Sequence, residues 1–349
     1  MSPPGDPSDV DERSMARWSE SALSLANFFS RALSLFQSSG SNLHILCTAA
    51  PTLSRGDPPD HGQPAPLPPR SRPRSLIVLD SSFNPPTRAH LRMATSAIHQ
   101  LHRERGQALD TLRMLLLLSV NNADKGAKPA SFDRRLAMMW AFAGDVQHAL
   151  LGGLESASGE RKEQGSFGGL SIDLGLAKAP YFHEKSAALA EAEFYKGTNE
   201  GGGAGETEQV FLVGFDTLIR IFNPKYYGPL DSAAPPASAG PSPMHKALDP
   251  FFRRAKLRVT MRTGDEWGDE TEQRAYLEDL GKAEALSEVG GSKDWGRRIE
   301  MVEGRQVGAD AISSTRARAA AKDRDAGRLD EMVTPAVRWW IEQGDLYTE

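Results

Sequence analysis

From residue 75 onward, short segments that are apolar at nearly every position alternate with segments whose apolar residues recur every three or four positions. Continuous apolar runs indicate strands buried on both faces, and the three-to-four spacing indicates amphipathic helices. The alternation predicts an α/β fold, a Rossmann-like parallel sheet with helices on both faces. The predicted strands are 75–79, 112–120, 170–174, 209–213, 256–262 and 298–302, and predicted helices occupy 87–105 and begin near Ser131 and at Asp216.

The N-terminal region predicts one further helix. Over residues 15–36 the apolar side chains fall on a single helical stripe, formed by Met15, Trp18, Ala22, Leu25, Phe29, Ala32 and Phe36. We expect this helix to dock on the main body; a helix for a membrane surface or a partner is the alternative, and its Ser-rich polar face disfavours lipid. Charged residues interrupt the stripe, so its charge-free part is too short to span a bilayer. Residues 43–50 fit either a short strand or a continuation of the helix.

Composition divides the chain into three parts. Residues 1–50 form an N-terminal extension, residues 51–74 form a linker whose first 23 positions hold eight prolines, and residues 75–349 form the main domain. The linker ends in Arg70, Arg72 and Arg74, and a charge run beside a linker is usually solvated. Two segments near 196–208 and 231–243 are rich in Gly, Ser, Ala, Pro or acidic residues and are predicted to be surface inserts.

Charge and cysteine content exclude several classes of protein. The 349 residues include 41 Lys and Arg against 46 Asp and Glu, a formal net charge of −5. This balance gives no general attraction to nucleic acid or to anionic membranes, so small molecules are the expected partners. Cys47 is the single cysteine, which rules out an internal disulfide and favours a reducing compartment. The acidic, Pro-rich start lacks the features of a leader, so we expect the cytoplasm, the nucleus or both. Oligomeric state is not predictable from these data.

The loop that follows the first predicted strand carries candidate chemistry. Residues 80–90 read Asp-Ser-Ser-Phe-Asn-Pro-Pro-Thr-Arg-Ala-His. The two prolines give the chain a rigid exit from the strand, and Thr87 is a good N-cap for the following helix. His90 then lies on the first helical turn, beside unpaired backbone N–H groups and the positive end of the helix dipole. This arrangement suits a phosphate and adds a donor whose protonation can change; an ordinary N-cap with a nearby histidine is the structural alternative.

A second candidate segment lies near the C-terminus, where residues 312–318 read Ile-Ser-Ser-Thr-Arg-Ala-Arg. Either Ser313 or Ser314 can cap the helix that follows. The new N-terminus then presents free N–H groups, hydroxyls and two guanidinium groups to one small volume, which suits a polyphosphate. A Ser-capped, Arg-rich surface helix is the structural alternative for this segment when it is taken alone.

Together the two segments resemble the T/HxxH and ISSTxxR motifs of the nucleotidyltransferase superfamily. The resemblance is greatest to nicotinamide mononucleotide adenylyltransferases of the eukaryotic kind, as a divergent member of fungal type. It extends over residues 75–349 without the two inserts, and it includes residues 213–227 and the closing segment 333–347. Ser81 stands where this family usually has Gly, and residues 172–182 lack the Trp that many relatives place against the pyridine. Tyr181 or Phe182 could substitute for that Trp, or could be core aromatics.

The resemblance implies roles for named residues. His90 and Arg318 would be catalytic, with His90 stabilising the charge that builds up as pyrophosphate leaves. ATP would be bound by Ser82, Phe83, Thr87, His90, Lys128, Ser313, Ser314, Thr315, Arg316 and Arg318. The mononucleotide would be bound by Ser81, Ser82, Gly214, Asp216 and Tyr227, with Tyr227 stacking on the pyridine. Within the loop 121–128, either Lys125 or Lys128 would contact a phosphate.

The implied reaction is transfer of the adenylyl group of ATP to nicotinamide mononucleotide, which yields NAD and pyrophosphate. It needs alignment and positive charge and no covalent intermediate. Mg2+ would be bound through the substrate phosphates, since the sequence shows no dedicated carboxylate cage and no other metal site is predicted. Two alternatives are a related transferase that uses another phosphorylated metabolite or CTP, and an ATP-binding or ATP-hydrolysing protein with a degraded pyridine site. A class I tRNA synthetase shares a similar loop but needs a basic surface that this charge balance does not supply.

Overall fold

The computed structural model describes residues 7–51, 64–120, 130–158, 169–198, 205–228, 241–261, 268–282, 286, 290–304 and 312–348. The centre of the fold is a seven-stranded sheet with the order β1-β4-β3-β2-β5-β6-β7. All neighbouring strands are parallel except β1, which pairs antiparallel with β4. The strands are β1 Leu43–Ala49, β2 Ser75–Asp80, β3 Leu112–Ser119, β4 Ser171–Ala177, β5 Glu208–Gly214, β6 Ala255–Thr260 and β7 Ile299–Val302.

Helices cover both faces of this sheet, which confirms the predicted Rossmann-like α/β class. Leu116 and Leu118 of β3 belong to the core on one face, and Leu115 and Leu117 belong to the core on the other, as the two-residue period of a strand requires. The helices are α1 Pro7–Ser38, α2 Arg88–His99, α3 Phe132–Ser158, α4 Phe182–Glu191, α5 Phe215–Ile221, α6 Pro243–Arg254, α7 Glu270–Gly281, α8 Ser314–Lys322, α9 Ala326–Met332 and α10 Pro335–Gln343.

Helix boundaries differ in detail from the predicted ones. The helix predicted over 87–105 is regular only to His99 and continues as a π-helical segment, Gln100–Glu104. The inserts predicted near 196–208 and 231–243 lie partly outside the described residues, at 199–204 and 229–240. The first insert is tied to the fold at its described ends: Gly197 forms an isolated antiparallel bridge with Ser71, and Glu208 begins β5. Within the described part of the chain, no helix is long and apolar enough to cross a membrane.

The N-terminal extension packs on the same sheet as the main domain. The predicted helix lies within α1 and docks as expected, with Phe29 and Phe36 fully buried in the core that includes α3. Lys178, which follows β4, donates from Nζ to the carbonyl oxygens of Gln37 (3.2 Å) and Ser39 at the end of this helix. Residues 43–49 are the strand β1 rather than more helix, and their backbone pairs antiparallel with the open edge of β4. The proposed domain division at residue 75 stays a prediction.

A buried ionic cluster ties this extension to the starts of β3 and β4. Arg113 donates to both carboxylate oxygens of Asp173 at 2.8 Å, and the Asp173 side chain is completely buried. Thr48 of β1 and Tyr195 also donate to this carboxylate, at 2.7 and 3.1 Å. Arg113 further donates to the carbonyl oxygen of Leu67 in the Pro-rich segment. Burial raises the pKa of Asp173, and its hydrogen bonds to Arg113 and the positive charge of that residue lower it in part.

We expect that removing one charged partner of this cluster lowers the free energy of unfolding substantially. In Asp173→Asn the guanidinium of Arg113 stays buried without its counter-charge, so we expect a loss of about 3 kcal/mol in the free energy of unfolding. Urea denaturation monitored by circular dichroism measures this loss. Asp110→Asn, at a residue outside the cluster, is the matched control. A change below about 1 kcal/mol in Asp173→Asn would mean that the cluster does not stabilise the fold.

A second titratable site joins α3 to α10. Thr334, the N-cap residue of α10, donates from its hydroxyl to the Asp145 carboxylate. Burial raises the pKa of Asp145 to about 6, and the Thr334 hydrogen bond and the charges of His148 and Arg88 offset part of that rise. The folded-state pKa therefore lies above the ordinary value, so folding favours the protonated carboxyl group. Stability from this group is fully present below about pH 4 and is lost as the pH rises through 6.

Replacing Asp145 with Asn is predicted to flatten this pH dependence. Asn keeps an acceptor for Thr334 and cannot ionise, so the variant should gain on the order of 2 kcal/mol relative to wild type between pH 4 and pH 7.5. Unfolding free energies of both proteins measured at the two pH values give the difference. Parallel pH curves for the two proteins would contradict the assignment.

Candidate active site

The candidate site lies outside the carboxyl ends of β2 and β5. From β2 the chain adds β3 and β4 on one side, and then returns to add β5, β6 and β7 on the other side. The loops leaving β2 and β5 therefore diverge to opposite faces of the sheet and leave a crevice between them. Parallel sheets bind ligands at such a switch in strand order. The loop after β2 and the residues around Gly214, both included in the family resemblance, follow the ends of these two strands.

The loop after β2 is anchored from below by buried side chains. Phe83 is fully buried, with a φ of 44°, and its ring centroid lies 5.5 Å from that of His90. The Asn84 side-chain oxygen accepts from the Ala130 backbone N–H at 2.9 Å and from the Tyr347 hydroxyl at 2.8 Å. Tyr347 thus brings the C-terminal segment against the loop. Burial raises the pKa of this tyrosine, and the charges of Arg135 and Arg318 lower it in part.

His90 is held at both ring nitrogens. Nδ1 accepts from the backbone N–H of Thr87 at 3.0 Å and lies 2.8 Å from the hydroxyl oxygen of Thr87. Nε2 lies 3.0 Å from the hydroxyl oxygen of Ser81. Thr87 is the N-cap residue of α2, as predicted, and it is only 1% exposed. Its hydroxyl therefore acts on the imidazole and does not face the crevice.

The C-terminal segment meets the loop directly. Ser313 is the N-cap of α8, since its hydroxyl accepts from the Arg316 N–H at 3.2 Å. The Ser314 hydroxyl donates to the carbonyl oxygen of Pro85 at 2.8 Å. Arg318 donates to the carbonyl oxygen of Asn84 at 2.7 Å. Two segments more than 220 positions apart in sequence are therefore in contact, and the helices α2 and α8 begin beside the same loop.

The structure separates the predicted site residues into two groups. The side chains of Phe83 and Thr87 are buried, and the guanidinium of Arg318 contacts Asn84 and, at 3.2 Å, the hydroxyl of Thr315. The other members at this end of the site are partly or fully exposed: Ser81, Ser82, His90, Ser313, Ser314, Thr315 and Arg316. Lys125 and Lys128, expected to contact a phosphate, lie outside the described residues.

The far side of the crevice carries an aromatic group formed by Tyr181, His183, Tyr226 and Tyr227. The rings of Tyr181 and His183 are nearly parallel at 5.7 Å, and His183 lies 5.7 Å from Tyr227. Tyr227 donates from its hydroxyl to the carbonyl oxygen of Ile221 at 2.6 Å, which orients the ring. Burial lowers the pKa of His183 and raises that of Tyr227.

The other predicted residues near the aromatic group have different surroundings. Gly214 is the N-cap of α5, and Asp216 in its first turn lies 3.9 Å from Arg220. Of the two aromatics left open by the sequence, Phe182 packs edge-on against the core ring of Phe211, whereas Tyr181 belongs to the aromatic group. His183 and Tyr226 were not predicted. In the sequence, only its position beside the aromatic residues Tyr181 and Phe182 could have indicated His183.

A buried ion pair that the sequence did not reveal joins the two sides. Asp80, the last residue of β2, accepts a hydrogen bond from Lys185 in α4, and both side chains are less than a tenth exposed. The Lys185 ammonium also lies over the ring of Phe182 at 5.3 Å. The pair therefore fixes the start of the loop that holds His90 to the helix that follows the aromatic group. No local signal pointed to it, because its partners are 105 positions apart.

Comparison with known proteins places the chain in a family. A Schizosaccharomyces pombe protein named "Putative nicotinamide mononucleotide adenylyltransferase" is 31% identical over 248 residues, which cover 71% of this chain and 76% of that protein. No protein-family model matches the chain.

Two solved structures give much weaker likenesses. The Plasmodium falciparum nicotinic acid mononucleotide adenylyltransferase complexed with APC aligns with 78% of this chain and 97% of that chain, at 11% identity and a TM-score of 0.41. Its complex with NaAD aligns over the same shares at 12% identity and a TM-score of 0.37. At TM-scores below 0.5 these likenesses do not bear on this chain.

The anchoring of the loop makes a testable prediction. Tyr347→Phe removes the hydroxyl that donates to Asn84 and leaves a buried acceptor with one donor fewer. We expect a loss of about 1 kcal/mol in the free energy of unfolding and faster amide hydrogen exchange in the loop 81–87. Urea denaturation and hydrogen-exchange mass spectrometry measure the two effects. Wild-type exchange in this loop would show that the C-terminal segment does not hold it.

Proposed function

Because the chain belongs to the nicotinamide mononucleotide adenylyltransferase family, we propose that it transfers the adenylyl group of ATP to nicotinamide mononucleotide. The products are NAD and pyrophosphate. The family assignment supports an adenylyltransferase of NAD biosynthesis in general; the choice of the nicotinamide over the nicotinate mononucleotide is part of the proposal. The aromatic group formed by Tyr181, His183, Tyr226 and Tyr227 supports the binding of a pyridine ring.

One observation carries the proposal. The loop after β2 and the N-terminal turn of α8 are bound to each other through Ser314 and Arg318, at 2.8 and 2.7 Å. Each of α2 and α8 begins at this contact, so their free N–H groups and positive dipole ends converge on one region of the crevice. Such a region binds a chain of phosphates well, because each phosphate oxygen can accept from a different donor.

The residues proposed to bind ATP have different roles. His90 donates to a phosphate oxygen and stabilises the charge that develops on the leaving pyrophosphate. The N-terminus of α8, with Ser313, Ser314, Thr315 and Arg316, holds the triphosphate, and Lys128 adds a further cation. Arg318 contributes positive charge and also holds the loop in place through Asn84. Phe83 and Thr87 act indirectly, since Phe83 packs behind the imidazole and Thr87 orients it. Ser82 lines the cleft through its backbone.

On the mononucleotide side, the aromatic group offers a flat surface for the pyridine. Tyr227 is fixed by its hydrogen bond to Ile221 and presents its ring, and Tyr181 and His183 extend the surface. Gly214 and Asp216 lie at the end of β5, between this surface and the phosphate region, where the ribose and phosphate of the mononucleotide would pass. Ser81 and Ser82 border the same path from β2.

The chemistry is a single displacement at phosphorus. An oxygen of the mononucleotide phosphate attacks the α-phosphorus of ATP, a new P–O bond forms, and the bond between the α-phosphorus and the bridging oxygen breaks. The electron pair leaves with pyrophosphate. The protein aligns the two phosphates and supplies positive charge to the leaving group, so no nucleophilic side chain is required.

Magnesium enters this reaction with ATP, as part of the substrate. In the described residues no group of three or more His, Cys, Asp or Glu side chains could hold a metal ion. The Asp80 carboxylate is already paired with Lys185. The groups proposed to hold the triphosphate are cationic or neutral, which fits a metal that the phosphates themselves bind.

The direct test is a product assay. Purified protein with ATP, Mg2+ and nicotinamide mononucleotide should form NAD and pyrophosphate in equal amounts, at a higher kcat/KM than with nicotinate mononucleotide. Chromatography of the nucleotides identifies each product. Conversion of ATP only to ADP and phosphate would favour a hydrolase, and product formation with another phosphorylated metabolite or from CTP would favour a different transferase.

His90→Ala is expected to lower kcat about 100-fold, because the charge on the leaving pyrophosphate loses a donor that is fixed in position. The fold should be preserved, since His90 is partly exposed. His148→Ala, at an exposed histidine of α3, is the matched control and should keep the wild-type rate. A wild-type rate in His90→Ala would show that the histidine has only a structural role.

A further inference from the structure

The hydrogen bonds around His90 define which of its nitrogens carries the proton. The backbone N–H of Thr87 can only donate, so Nδ1 must offer its lone pair. The proton of the neutral ring is therefore on Nε2, and Nε2–H donates to the hydroxyl oxygen of Ser81 at 3.0 Å. Turning the ring over would direct a C–H group at the Thr87 N–H, so this orientation is strongly preferred.

Ser81 is itself held in place from both directions. Its backbone N–H donates to the carbonyl oxygen of Leu117 in β3 at 3.2 Å. The preceding residue, Asp80, is fixed by the buried ion pair with Lys185. The Ser81 hydroxyl that contacts Nε2 is therefore held at the end of the central strand β2. A residue without a hydroxyl at this position would leave Nε2 without this partner.

We propose that Ser81 is a positioning residue for the proposed adenylyl transfer: its hydroxyl accepts from Nε2–H and fixes the plane of the His90 imidazole beside the crevice, where an arriving phosphate oxygen can share or take over this hydrogen. The ring then needs no reorientation when the phosphates bind. The inference rests on the proposed function only for the effect on rate; the bonding of the imidazole stands apart from it.

Kinetics of Ser81 variants test the positioning role. In Ser81→Ala the imidazole loses one of its restraints, so we expect kcat to fall about 3- to 10-fold while the KM for ATP stays within about 2-fold, the size expected for one uncharged hydrogen bond. Ser81→Thr keeps the hydroxyl and should restore kcat to within about 2-fold of wild type. Ser34→Ala, at an exposed serine of α1, is the control and should leave both constants unchanged. An unchanged or raised kcat in Ser81→Ala, or a lowered KM for ATP, would overturn the proposal.

Nitrogen NMR of the histidine ring gives a readout that does not depend on activity. In the full-length protein, the His90 signals, assigned with the help of His90→Ala, should show an unprotonated Nδ1 and an Nε2–H that exchanges slowly with water. The slow exchange should be lost in Ser81→Ala and kept in Ser81→Thr. A proton on Nδ1 in wild type, or equally slow exchange in Ser81→Ala, would overturn the proposal. If no dinucleotide forms with any mononucleotide, the proposed function fails, while this measurement still decides the role of Ser81.

Discussion

The site depends on how the main-chain carbonyl groups of Asn84 and Pro85 are satisfied. Both residues are buried, and their loop belongs to no strand or helix that would supply backbone hydrogen-bond partners. Buried carbonyl groups without partners are costly. Arg318 and Ser314 supply the donors from α8. The requirement to satisfy these two carbonyl groups therefore brings the ends of two distant segments together. This contact sets the starts of α2 and α8 beside one another, and the proposed phosphate region depends on it.

Two buried ion pairs lie at opposite ends of the parallel strands. Arg113 and Asp173 lie near the amino ends of β3 and β4, where they bind Thr48 of the N-terminal extension. Lys185 and Asp80 lie at the carboxyl end of β2, where they connect the loop after β2 with the helix after the aromatic group. A buried pair costs desolvation, and its main effect is to fix one arrangement, because removing either partner leaves a charge buried alone. The Arg113–Asp173 pair fixes the position of the N-terminal extension, and the Lys185–Asp80 pair fixes the loop after β2 relative to α4.

The electrostatic character of the site follows from these anchors. Its exposed groups are helix N-termini, hydroxyls, the Arg316 guanidinium and a neutral imidazole held by Thr87 and Ser81. In the proposed function these groups supply hydrogen-bond donors or positive charge to the phosphates. They are also fixed before any ligand arrives, which is the condition under which such donors stabilise a developing negative charge most effectively. The arrangement suits a transfer between two phosphates, in which the protein aligns anions and forms no bond to them.

The sequence by itself determined the features that depend on neighbouring residues. Apolar runs located the parallel strands, and the short-range rules for capping identified Thr87 and narrowed the cap of α8 to two serines. The motifs also indicated that the loop before His90 and the segment at Ser313 belong to one site. The sequence left open whether residues 43–50 form a strand, and it did not reveal the pairs Lys185–Asp80 and Tyr347–Asn84, whose members lie 105 and 263 positions apart. Only the tertiary structure decided these contacts, because their partners are chosen by which buried charges and polar groups the packed sheet and helices leave to be satisfied.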